Sequence, residues 1–73
     1  MTALTKLDAG QVGEVLELRQ SGGSAERLLA YGVAPGTHIR VHQRWPAYVI
    51  QVGETDLALD HDIAAGILVR VIE

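Results

Sequence analysis

Cysteine is absent from this chain of 73 residues. That excludes disulfides, thiolate metal sites and thiol nucleophiles. It also fits a domain that folds in a reducing compartment, and the expected location is cytoplasmic. Phenylalanine is absent too, and Tyr31, Trp45 and Tyr48 are the whole aromatic complement. Packing must therefore come from the Val, Leu, Ile and Ala that make up most of the 48% hydrophobic content. Three aromatics are also too few for the groove of a module that reads proline-rich peptides. The opening MTALTKLDAGQ has neither the basic region nor the apolar run of a signal peptide. No segment approaches the roughly 18 apolar residues that span a bilayer, so direct membrane insertion is not expected. Positive charge is scarce as well: the formal net charge is −3, and the arginines stand singly. Nucleic-acid binding starts from a basic face, so that class is set aside.

What is present has room for one domain, residues 1–73. A chain this short buries only roughly 60% of its unfolded surface, so every apolar position counts. The most informative stretch is ERLLAYGVAPGTHIRV, Glu26 to Val41. It predicts a helix from about Ser24 to Tyr31, with Ser24 as its N-cap and Glu26 in the first turn. Gly32 falls where a helix ends in the left-handed region, which puts Leu28 and Val33 at the two positions that pack together in a Schellman stop. Pro35-Gly36 then satisfies a type II turn, with fixed φ first and a permissive residue second. From Thr37 the pattern alternates, with Ile39 and Val41 on one face and His38, Arg40 and His42 on the other.

The remaining elements follow the same rules. Leu4 and Leu7 read as a lead-in that covers one end of the core. Val12 to Arg19 reads as a strand with Val12, Leu16 and Leu18 on one face, and Gly13 suggests a bulge. Pro46 marks a turn, Tyr48 to Val52 alternates, and Gly53 to Asp56 is short enough for a hairpin into Leu57-Ala58-Leu59. Asp60 or Asp62 caps a helical turn through Ala64 and Ala65, and Ile67 to Ile72 is the last strand. About five short antiparallel strands with one inserted helix predict a mainly β, SH3-like small barrel, which leaves few exposed edges.

That order of elements resembles the FeoA family, small proteins that accompany the bacterial ferrous-iron permease FeoB, and the SH3-like C-terminal domain of metal-dependent repressors. The resemblance runs through LDAGQVGEVLEL, GGSAERLLAYGVAPGTHIRV and VGETDLALDHDIAAGILV. Its most specific residues are Arg27-Leu28, Gly32, Pro35-Gly36-Thr37, Ile39 and Val41. It implies a cytoplasmic accessory or regulatory module of ferrous iron uptake that binds the cytoplasmic portion of a FeoB-type permease. The alternative it implies is a regulatory module of a metal-dependent transcriptional repressor. Glu26 stands where relatives commonly carry a first arginine before Arg27, and Asp60 where a basic residue is common.

Candidate chemistry is thin. His38 and His42 share a strand face, but their Cα atoms are expected about 13 Å apart at roughly 3.3 Å per residue. One ion held at about 2.1 Å from each imidazole does not bridge that gap. His61 and Asp62, beside Asp60, combine imidazole with carboxylate, although adjacent residues at a helix start more often cap than chelate. No defined metal site is expected, with His38, His61 and Asp62 the weak candidates for a divalent ion. Ser21 and Ser24 fit turn and cap chemistry, no nucleophile stands with a base, and no enzyme activity is expected. Arg27, as a family-matched position, and Arg44-Trp45-Pro46, as an apolar residue on a rigid turn, are the candidate partner-binding residues. For Trp45 two readings stand open, a lid over the barrel end and a contact residue.

Overall fold

The structure, a computed structural model, describes residues 1–72. Six strands form one antiparallel sheet: β1 (Thr2–Ala3), β2 (Val12–Leu18), β3 (His38–Gln43), β4 (Tyr48–Val52), β5 (Thr55–Leu59) and β6 (Ile67–Ile72). Their order across the sheet is β1-β6-β2-β3-β4-β5. Two short helices, α1 (Ser24–Ala30) and α2 (His61–Ala65), and a 3-10 turn at Leu4–Lys6 complete the chain. The principal extents of 29 × 26 × 23 Å are nearly equal, whereas a flat sheet is about 10 Å thick. The sheet therefore curls around a single core, as a small barrel does. Leu4, Leu7, Val15, Ile39, Val41, Ile50, Ile67 and Val69 form the centre of that core.

The predicted helix stop is borne out in detail. Gly32 takes φ 93°, the Val33 amide donates to the Leu28 carbonyl at 2.9 Å, and the Gly32 amide donates to the Leu29 carbonyl at 3.0 Å. Those two bonds are the Schellman pair, and Leu28 and Val33 are both buried. The next turn follows directly: Gly36 has φ 93° and the Thr37 amide donates to Ala34 at 3.0 Å. It is tied to β2 by two more bonds, Gly36 amide to Val15 carbonyl and Val15 amide to Thr37 carbonyl.

Four expectations change. A sixth strand exists, because Thr2 and Ala3 pair with Val69 and Leu68; two residues are too few to show a period. The bulge in β2 lies at Leu16 and not at Gly13, since the register against β6 shifts between Val15 and Glu17. The extra residue returns Leu18 to the side of Val15, so the core takes Val15 and Leu18 while Leu16 faces outward. Gly13 has a different reason to be glycine: a Cβ there would sit 3.0 Å from Val69 Cβ and 3.2 Å from Leu7 Cδ2. Finally, Gly23 and not Ser24 is the N-cap of α1, and no side chain caps that end. At α2 the choice falls on Asp60, whose Oδ1 accepts from the Ile63 amide at 2.9 Å.

Candidate functional site

The β3–β4 connection carries three of the candidate residues. β3 and β4 pair from Ile39↔Val52 to Gln43↔Val49, with His42 as an extra residue in β3. The chain then turns through Arg44, Trp45, Pro46 and Ala47, and the Trp45–Pro46 peptide bond is cis. Arg44 is engaged on both sides, donating to the Thr5 carbonyl at 3.1 Å and lying 3.6 Å from an Asp8 carboxylate oxygen. Gln43 closes the turn by donating to the Ala47 carbonyl. Trp45 is 83% exposed. A lid over the barrel end would be covered, so at this exposure the lid reading does not hold. Trp45 projects from a turn whose neighbour Arg44 is held in place.

Arg27 lies elsewhere, on α1. Only Leu28 of this helix is buried, and the helix stands off from the sheet. Between them runs an open groove of about 260 Å³, lined by Ser24, Arg27, Leu28 and Tyr31 from α1, Leu57, Ala58 and Leu59 from β5, and Ile63 from α2. Small-molecule sites usually enclose roughly 300–1,000 Å³, so this groove suits a few side chains better than a metabolite. Four of the five arginines are engaged: Arg19 with Glu17, Arg40 with the Gly10 carbonyl, Arg44 as above, and Arg70 with Glu14. The Arg27 guanidinium has no such partner among the described residues. Arg27 does not share this lining with Arg44, Trp45 or Pro46.

The metal candidates are dispersed. Among the described residues no three His, Asp or Glu side chains come together in the way an ion needs. His38 sits across from Glu14 on the outer face of the sheet. His42 Nε2 lies 3.7 Å from Asp56 Oδ1, and His61 Nδ1 lies 3.9 Å from Asp62 Oδ1. His61 also tilts its ring against Tyr48 at a centroid distance of 6.1 Å. The groove itself is not legible residue by residue, because Tyr31 lies far in the chain from Leu57 and Ile63. The sequence signal that bears on it is the helix stop, which puts Leu28 inward with the exposed Arg27 beside it.

Comparison with known proteins gives three findings. A model of the FeoA domain matches residues 2–71. No curated protein matches the chain. Among solved structures, the FeoA protein of Chlorobium tepidum superposes with a TM-score of 0.92 at 23% identity, over 99% of this chain and 71% of that one. FeoA of Stenotrophomonas maltophilia, solved with zinc and described as a procaryotic SH3 domain protein possibly acting as a ferrous iron transport activating factor, gives 0.79 at 25% identity, over 96% and 91%. IdeR of T. acidophilum gives 0.89 at 19% identity, which shows the fold alone; this chain covers 34% of it. Among the described residues no helix is long and apolar enough to cross a membrane.

Proposed function

The chain belongs to the FeoA domain family, and from that premise we propose that it is an accessory protein of ferrous iron uptake that acts as a protein-interaction module on the cytoplasmic portion of a FeoB-type permease. The family is associated with ferrous iron transport, and it is a small accessory domain with no known catalysis. The observation that supports a contact role is Trp45, 83% exposed on a turn held by Arg44. Tryptophan and arginine dominate binding energy at interfaces far beyond their share of surface. A turn already fixed in place adds little ordering cost when a partner docks. Arg44, Trp45 and Pro46 form the docking turn in this reading, with Arg27 on a second contact area.

The chain itself is proposed to hold no stoichiometric metal. His38, His61 and Asp62 each lie with at most one other ligand-type side chain, whereas stable divalent sites use three or four protein ligands. Calorimetry with ferrous iron or zinc is expected to give weak binding without a defined stoichiometry. One ion bound at submicromolar affinity and lost with His38→Ala or His61→Ala would overturn that.

The permease interaction is tested by affinity capture of the tagged chain from cells that express it beside the permease, with the bound membrane protein identified. Recovery of a large GTP-binding permease supports the reading. Recovery of a DNA-binding repressor in its place supports the regulatory-module alternative, for which the fold shared with IdeR is the observation in favour.

A further inference from the structure

The long free edge of the sheet runs along the groove. β1 is one edge and only two residues long, and β5 is the other, with five. β4 and β5 are joined by the two-residue turn Gly53-Glu54, in which Gly53 at φ 59° takes the first position of a type II′ turn. The pair closing such a turn, Val52↔Thr55, is a hydrogen-bonded pair. Alternation then makes Ile50↔Leu57 and Tyr48↔Leu59 the hydrogen-bonded pairs, and Gln51↔Asp56 and Val49↔Ala58 the others. The amides and carbonyls of Asp56 and Ala58 therefore point away from β4. Neither residue has a backbone partner on that side among the described residues.

We propose that this edge takes up an extended segment of a partner protein as an added antiparallel strand, with an acidic side chain of that segment paired to Arg27. Three features of one groove meet the requirements of strand addition. Outward donors and acceptors at Asp56 and Ala58 supply backbone pairing, whose spacing an extended segment matches along its length. Leu28, Leu57 and Ile63 supply an apolar floor for alternate side chains. Arg27, the arginine without a partner among the described residues, supplies a cation in a chain of net charge −3, so the segment it selects carries a carboxylate there. The inference rests on the reading of the chain as an interaction module, and it concerns a surface separate from the Trp45 turn.

The probe is a synthetic peptide of about six residues, the usual strand length, alternating valine with polar residues and carrying one central glutamate. It is titrated into the intact isotope-labelled chain, with amide shifts and hydrogen exchange read residue by residue. Binding is expected to protect the Asp56 and Ala58 amides selectively, leaving Trp45 unmoved. Arg27→Gln is expected to weaken binding about tenfold, the scale of one charge-assisted hydrogen bond. A peptide with glutamine at the centre should lose the same factor against the natural chain and nothing against Arg27→Gln. Ala58→Pro removes an outward amide, a place where an edge strand tolerates proline, and is expected to abolish binding with the fold intact. Should that variant not fold, a peptide N-methylated at its central amides tests the same bonds and is expected not to bind. No shift at millimolar peptide, shifts confined to the Trp45 turn, full binding by folded Ala58→Pro, or saturation of the edge by a second copy of the chain would each overturn the inference. Permease capture by the intact chain does not depend on the peptide, so the two readings fail separately.

Discussion

The β2–β6 seam and the α1–β5 side are built to different standards. Along the seam, Val15 meets Val69, Leu18 meets Ile67, and Gly13 lies so close to Val69 that a Cβ would crowd its side chain at 3.0 Å. At its end the Arg19 amide donates to the Gly66 carbonyl at 2.7 Å, and an added Cβ on Gly66 would stand 2.4 Å from the Arg19 carbonyl oxygen. On the other side, α1 sinks one side chain into the core, β5 buries only Leu59, and an open groove lies between. Stability is concentrated where backbones touch, and the open surface lies where they do not. For a chain of 73 residues, with about 4–11 kcal/mol in total at roughly 0.05–0.15 kcal/mol per residue, this separation lets the groove side vary without unfolding the barrel.

Substitutions sharpen the contrast. The largest loss is expected from Gly66→Ala, because a backbone oxygen cannot step aside as a side chain can; about 3 kcal/mol is predicted, read by urea unfolding. A near-normal midpoint would show that the seam is looser than described. Leu28→Ala removes the one anchor of α1 and is expected to cost roughly 2–3 kcal/mol, the lower part of the usual range, since the exposed helix can settle into the space. Its effect on amide exchange should be greatest in α1 and slight in β2 and β6. Uniform loss would break the distinction between the two sides. Gly32→Val forces a β-branched residue to φ 93° and is expected to cost about 1.5 kcal/mol of strain, seen as a lower melting temperature.

How much of this was legible depended on whether the cause was local. The helix stop at Gly32 and the turn at Pro35-Gly36 were readable because each follows from the φ preferences of single residues in sequence. The inward set Ile39, Val41, Ile50 and Val52 was readable from a period of two. The bulge at Leu16 was not, because an extra residue leaves no mark until the facing strand Ile67–Ile72 is in register. The bulge that Gly13 suggests in the sequence is not its role: its smallness answers to Val69 and Leu7, which only the fold brings near. Of the candidate site, Arg27, Arg44, Trp45 and Pro46 are legible in the sequence. Their division into two surfaces, and the free amides of Asp56 and Ala58, came from strand order and pairing alternation.

The central claim is that Trp45 serves contact and not packing. Trp45→Ala empties no part of the core, so its unfolding free energy should stay within about 0.5 kcal/mol of the natural chain, as for surface changes generally. The deciding measurement is recovery of the FeoB-type permease by that folded variant beside the natural chain. Loss of at least about 2 kcal/mol in affinity, the hot-spot threshold, is the predicted result. Undiminished recovery by a folded Trp45→Ala chain would contradict the account.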